Sequence, residues 1–193
     1  MQYRHSFHAG NFADVHKHIA LLGLIDALQK KAKGFLYLDT HGGSGLYDLR
    51  GADARHSGEY AAGIATLEQA VAAQSAGEPE IAAYLAAVSR IRALTGAATY
   101  PGSPLLAAAA LRDLLHAAAA VDVAQCGRCV EQVAQEARHL TRSLAAISPL
   151  ARTRVRVETG DGYAQLAAQL PPKERRALVL IDPPYESADE LQH

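Results

Sequence analysis

The 193-residue sequence predicts an α/β fold built on a parallel sheet. Three observations carry this. Two short apolar runs, Phe35-Leu36-Tyr37-Leu38 and Ala177-Leu178-Val179-Leu180-Ile181, have the continuous hydrophobicity of strands covered on both faces. Longer stretches of helical periodicity separate such runs. Each run also ends in polar, turn-forming residues: Asp39-Thr40-His41-Gly42-Gly43-Ser44-Gly45 after the first, Asp182-Pro183-Pro184-Tyr185 after the second. In open parallel sheets ligands bind beyond the carboxyl ends of the strands.

The elements follow in order. Residues Met1 to Asn11 are polar and His-rich, with Gly10 as a turn signal. Asp14 is then placed to cap a helix reaching about Lys31, with Val15, Ile19, Leu22 and Ile25 on one face, and Gly34 ends it. After the first strand and its glycine-rich turn comes a polar stretch from Asp48 to Gly58. Two helical patterns follow, Tyr60/Ile64/Leu67/Val71 and Ile81/Leu85/Val88/Ile91, separated by Gly77 and Pro79. They read as an inserted helical hairpin, so the chain divides into a main domain, 1–47 and 99–193, and a helical insertion, 48–98. Ser103 as cap and Pro104 in the first turn announce a helix to about His116. Val121 to Ala124 reads as the second strand, 128–146 as a long helix, and Arg154 to Glu158 as the third strand. That strand turns at Gly160-Asp161-Gly162 into a helix that Pro171-Pro172 stop.

Composition narrows the partners. The formal net charge is −1, so no global basic field argues for nucleic acid, although residues 1–33 carry Arg4, Lys17, Lys30, Lys31 and Lys33 against Asp14 and Asp26. No apolar run of about 18 residues is present to span a membrane, and no signal peptide is evident, so a cytoplasmic protein without a membrane partner is expected. Cys126 and Cys129 have the spacing of a redox or zinc motif, but no second pair accompanies them, and two ordinary thiols are expected. His5, His8, His16 and His18 lie near Asp14, yet nothing supplies the rigid frame of a metal site, and no metal is expected.

The glycine-rich turn alone is ambiguous. Gly43-Ser44-Gly45 lacks the third glycine of a dinucleotide fingerprint, which argues against a nicotinamide cofactor. Asp182-Pro183-Pro184-Tyr185 is more specific. An aromatic amine is a weak nucleophile because its lone pair is delocalised into the ring. A carboxylate and a rigid backbone carbonyl, each accepting one N–H, orient it and localise its charge. The prolines fix φ and so fix that carbonyl. Tyr185 offers a face for a base flipped from its stack, worth about 1–3 kcal/mol. Asp182, Pro183 and Tyr185 are therefore the candidate catalytic residues of an adenine-N6 methyl transfer. A carboxylate is poorly matched as general base to an amine, which assigns Asp182 an orienting role.

These motifs, with Tyr3-Arg4-His5-Ser6-Phe7-His8-Ala9-Gly10-Asn11, Asp14-Val15, Tyr100-Pro101-Gly102-Ser103-Pro104 and Asp161-Gly162, resemble the ribosomal large subunit methyltransferase J family. The resemblance implies a Rossmann-like class I fold with a small inserted helical subdomain. It also implies S-adenosyl-L-methionine as methyl donor and 23S ribosomal RNA as partner; a monomer is expected. It places His18, His41, Ser103, Asp161, Gly162 and Asp182 at the cofactor and Tyr3 and Tyr185 at the substrate. Two departures are expected. Residues 114–152 differ from the family pattern, leaving Asp122 as the only acid near the second strand to bind the cofactor ribose. The later strands of the sheet are missing from the chain, so the Ala177–Ile181 strand should lie at a sheet edge. A DNA adenine methyltransferase, a role in using external DNA, and a non-catalytic nucleic-acid-binding fragment are the alternatives.

Overall fold

A computed structural model describes residues 4–73, 78–111, 126–151, 153 and 155–184. The central feature is a four-stranded sheet of β1 (Leu36–Asp39), β4 (Cys126–Glu131), β5 (Val155–Thr159) and β6 (Ala177–Leu180). Its order is β5-β4-β1-β6 and every neighbouring pair is parallel. The chain moves outward from β1 through β4 to β5, then returns to lay β6 on the other side of β1. That reversal is the switch point of a Rossmann-like sheet, where ligands bind. A separate antiparallel pair, β2 (Leu46–Asp48) with β3 (Thr99–Pro101), closes the base of the 48–98 excursion. Sequence periodicity does not show these three-residue strands.

β1 is buried along its whole length because both faces are covered. Tyr37 and Cys129 face a large core shared by α1 (Phe12–Gln29), α4 (Pro79–Thr95), α5 (Ser103–Ala110) and α6 (Ala134–Ala146). Leu36, Leu38 and Val130 face a smaller cluster that α7 (Gly162–Gln169) covers with Leu166. The helical stretch 48–98 contributes Ile64, Tyr84, Val88 and Ile91 to the same core as Val15, Ile25 and Phe35. It comprises α2 (Ala52–Ser57), a π-helical turn (Ala61–Ala65), α3 (Thr66–Ala72) and α4. No helix among the described residues is long and apolar enough to cross a membrane.

Several boundaries differ from expectation, each for a local reason. Asn11, not Asp14, caps α1: its side chain accepts the Asp14 N–H at 2.9 Å. Asp14 is thereby freed for other partners. Gly102 is the cap of α5, so Ser103 occupies the first turn and turns its hydroxyl to Asp39. α5 ends at Ala110, where Leu111 becomes extended, rather than near His116. The Tyr60–Val71 pattern is kinked at Gly63, whose φ/ψ of −105°/−107° leave the helical region.

The largest correction concerns 126–151. The expected helix from 128 is a strand as far as Glu131, and a helix only from Ala134. Gly127 permits the close approach of β5, since a Cβ there would meet Val155 Cγ2 at 2.9 Å. Far from departing from the fold, this segment supplies β4, which pairs with β1 in full register from Leu36↔Cys126 to Asp39↔Cys129. The expected Val121–Ala124 strand and Asp122 lie outside the described residues. Among the described residues β6 has one strand neighbour, β1, and all four of its residues are half-buried.

Candidate active site

Four strand ends converge on one face. Adjacent strands lie about 4.8 Å apart, so the row from β5 to β6 spans roughly 14 Å, the scale of a nucleoside. The polar residues arrive as the strands terminate: Asp39 on β1, Glu131 on β4, Asp161 after β5, and Asp182 after β6.

Asp39 is fully buried and serves as the internal anchor. Its carboxylate accepts from Ser103 Oγ (2.7 Å), Tyr37 Oη (3.0 Å) and the His41 N–H (3.2 Å). Burial raises its pKa, and these three donors oppose that rise. Ser103 therefore meets Asp39 rather than opening directly onto the cleft. Thr40 ties β1 to β6, its N–H and Oγ1 both donating to the Leu180 carbonyl at 3.0 and 3.1 Å. His41 is half-buried, with Nδ1 2.8 Å from Thr40 Oγ1 and its ring edge-on to Tyr163 at 5.5 Å.

The glycine-rich turn is fastened to β4 and α6. Glu131 accepts the Gly43 N–H at 2.8 Å and the Val133 N–H at 2.9 Å. Ser44 Oγ bonds Glu136, and Ser143 Oγ donates to the Ser44 carbonyl at 3.0 Å. Gly43 and Gly45 have φ of 57° and 74°. The fixed turn places Glu131 as the acid at the end of the strand beside β1. Sequence reasoning missed it by reading 128–146 as one long helix. The run Cys129-Val130-Glu131, apolar residues ending in an acid, was the available signal.

On the outer strand, Asp161 caps α7 through Oδ1, which accepts from Tyr163 N (2.8 Å) and Ala164 N (3.3 Å). Gly162 is required next to it: a Cβ there would stand 2.3 Å from the Thr40 carbonyl oxygen. The Asp161-Gly162 turn is thus packed against the Thr40-His41 turn.

Asp182 is joined by a residue that the sequence reading did not single out. Lys17 Nζ lies 2.5 Å from Asp182 Oδ2 and 2.8 Å from Asp14 Oδ1. Asp14, only 2% exposed, also accepts from the Gly10 N–H (3.0 Å) and pairs with His5 Nε2 (2.9 Å). Burial works to raise the Asp14 pKa, but the His5 hydrogen bond and the charges of His5 and Lys17 together hold it well below the usual carboxylate range. Helical spacing carried this signal, because Asp14 and Lys17 are three residues apart on α1. Pro183 is buried beside Asp182. His18 is 1% exposed and lies beneath this group, with Nδ1 2.9 Å from Tyr100 Oη and its ring stacked on Tyr100. Burial pushes its pKa down to about 3, so it is neutral at physiological pH. Tyr3 and Tyr185 lie outside the described residues. The site thus brings His41, Asp161, Gly162, Pro183 and Asp182 to one face and sets Ser103 and His18 behind it.

Comparisons with known proteins identify the family. A family model described as Ribosomal RNA large subunit methyltransferase D, RlmJ, matches residues 32–193. The chain is similar to Ribosomal RNA large subunit methyltransferase J of Escherichia coli (strain K12), 40% identical over 198 residues that cover 100% of this chain and 62% of that protein. The protein of the same name from Haemophilus influenzae is 38% identical over 197 residues, covering 98% and 61%. A crystal structure of a Legionella pneumophila protein superposes with a TM-score of 0.78 at 33% identity, covering 95% of this chain and 61% of that one. The chain therefore spans about three fifths of the length of these relatives.

Proposed function

The chain belongs to the ribosomal RNA large subunit methyltransferase J family, and from that premise we propose that its strand-end site transfers a methyl group from S-adenosyl-L-methionine to adenine N6 of 23S ribosomal RNA in the cytoplasm. The observation that carries this reading is the placement of Asp182-Pro183-Pro184 beside the switch point, two strands from Glu131. One edge of the cleft then holds an amine and the other a ribose.

The residues present fit that donor. Glu131 offers a carboxylate to the ribose hydroxyls, the use that an acid at the end of the neighbouring strand serves in nucleotide-binding sheets. The 42–45 turn brings backbone close enough for a ligand to lie along it. Asp161, at the next strand end, is placed to accept from the exocyclic amine of the donor's adenine, with His41 and Tyr163 beside it. When bound, the donor supplies a sulfonium methyl that forms a bond to the attacking nitrogen while its C–S bond breaks and that electron pair stays on sulfur.

The chain's own residues then orient the nitrogen. Lys17 occupies Oδ2 of Asp182, which directs Oδ1 to one amine hydrogen. The Pro183 carbonyl, held by the ring that fixes φ, takes the other. The proton displaced from nitrogen passes to water after transfer, because a carboxylate is a poor base for an amine. Tyr185 stacks on the flipped base, Tyr3 contacts the RNA, and His18 and Ser103 support the donor site from behind through Tyr100 and Asp39.

Calorimetric titration with S-adenosylhomocysteine tests the donor half. Glu131→Ala is expected to weaken binding roughly 10- to 150-fold, the equivalent of about 1.5–3 kcal/mol for hydrogen bonds to a charged group. Asp182→Ala should weaken binding by no more than about threefold, because Asp182 borders only the methyl end of the donor and its main contacts are made at the reacting nitrogen. Unchanged affinity in Glu131→Ala would refute the assignment of the ribose acid.

A further inference from the structure

The segment 4–11 stands one relay from Asp182, and what fixes its position lies on the opposite side, in the 48–98 excursion. The relay is short: His5 Nε2 and the Gly10 N–H meet Asp14 Oδ2, Lys17 bridges Asp14 Oδ1, and the same ammonium reaches Asp182. Apart from one 3-10 turn, His5–Phe7, the segment has no helix or strand to set its shape. Its course therefore follows from its ties.

Those ties are concentrated on two acids. Asp53, on α2, accepts from Ser6 Oγ at 2.6 Å and from Arg4 Nη2 at 3.2 Å. Glu59, just past α2, accepts from Asn11 Nδ2 at 3.0 Å and pairs with His8 Nδ1 at 3.0 Å. The backbone is held as well. Ser57 Oγ bonds the Phe7 carbonyl, and the Ile64 N–H donates to the Gly10 carbonyl at 2.9 Å. Two glycines allow this contact. A Cβ at Gly63 would lie 2.1 Å from the Gly10 oxygen, and Gly10 itself has φ +78°. Gly58, at φ +66°, ends α2 and turns the chain so that Glu59 follows in place.

We propose that the helical excursion is a clamp for the N-terminal segment, with Asp53 and Glu59 as positioning residues that hold 4–11 against the Asp14–Lys17–Asp182 relay. Neither acid touches the reacting atoms. Asp53 and Glu59 are 25% and 38% exposed, so their ion pairs contribute little to global stability. Their contribution is to geometry: each gathers two donors from the segment and sets where His5 and Gly10 meet Asp14. The assignment of this segment to the RNA side rests on the methyl-transfer reading above.

The test is the double variant Asp53→Asn/Glu59→Gln of this chain, followed by hydrogen exchange and by kinetics. Amides of 7–11 should exchange at least about tenfold faster, while those of Leu36–Asp39 are unchanged, as expected for local opening. Affinity for S-adenosylhomocysteine should hold within about twofold, and kcat/KM for 23S ribosomal RNA should fall at least about tenfold, marking a loss in the transition state rather than in donor binding. Glu59→Gln alone keeps one of its two acceptor oxygens and should give an intermediate loss. Unchanged exchange in 7–11 would overturn the clamp, and so would faster exchange with normal kcat/KM. If the wild-type chain transfers no methyl group, the methyl-transfer reading fails by itself, and the exchange result still decides whether the clamp exists.

Discussion

Replacing Lys17 with Met separates the roles of its two carboxylate partners. The ammonium is one-fifth exposed and sits 2.8 Å from Asp14 and 2.5 Å from Asp182. Asp14 is nearly inaccessible, so losing Lys17 strands a buried charge, a change that costs about 3–5 kcal/mol when one partner of a buried pair is removed. Asp14 keeps the His5 and Gly10 donors, which places the expected loss near the lower end, about 3 kcal/mol. Asp182 is 35% exposed and water replaces most of what it loses, at about 1 kcal/mol or less. For a chain of this size the sum, about 3–4 kcal/mol, lowers Tm by roughly 6–16 °C. Adding Asp14→Asn removes the stranded charge and should restore part of the loss, a coupling readable in a double-mutant cycle. Methyl transfer should fall about 10- to 100-fold with donor affinity within about threefold, because the carboxylate is no longer held. Thermal melts, calorimetry and single-turnover transfer measure these. Lys17→Met melting within about 2 °C of the wild type and transferring at the wild-type rate would refute the reasoning.

Other consequences follow from the same geometry. Gly162→Ala drives a Cβ to 2.3 Å from the Thr40 oxygen, whereas a Cβ on Gly160 meets nothing within 4 Å. The first should cost about 1–3 kcal/mol in urea unfolding and weaken S-adenosylhomocysteine binding, and the second should be near neutral; equal behaviour of the two would contradict the tight packing of this turn. His18 has a folded pKa lowered to about 3 by burial, against about 6.5 when unfolded, so the unfolded chain binds more protons between these values. Stability should be intact above about pH 6.5 and decline as pH falls toward 3, by at most about 5 kcal/mol. His18→Gln should flatten that decline in urea titrations between pH 7 and 4, and an unchanged slope would exclude His18 as its source. The Asp14 contribution has a separate window: its depressed pKa gives stability above about pH 4 that is lost only at lower pH.

The parts of the fold legible in sequence were those with long or chemically unusual signals. Phe35–Leu38 is apolar along its length because a central parallel strand is covered on both faces. Ala177–Leu180 is an equally continuous apolar run although its residues are half-buried, and Asp182-Pro183-Pro184 stands out as an acid followed by two prolines at a strand end. β4 was not legible. Its residues Gly127, Arg128 and Glu131 lack the apolar continuity of β1, and its Arg128 is accommodated by a cross-strand pair with Glu158 that only the β4–β5 pairing reveals. Reading 128–146 as a helix hid Glu131. The Asn11 cap was missed for a related reason: Asp14 is an equally good capping residue, and only the tertiary demand of Lys17, His5 and Gly10 on its carboxylate decides between them. β2 and β3, three residues each, have too short a period to register.

Mass spectrometry of unmodified 23S ribosomal RNA, treated with this chain and deuteromethyl-labelled S-adenosyl-L-methionine and then digested to nucleosides, tests the proposed chemistry most directly. Labelled N6-methyladenosine should appear with the wild type and disappear with Asp182→Ala. Label at another nucleoside position, no label at all, or equal label in the Asp182→Ala variant would contradict it.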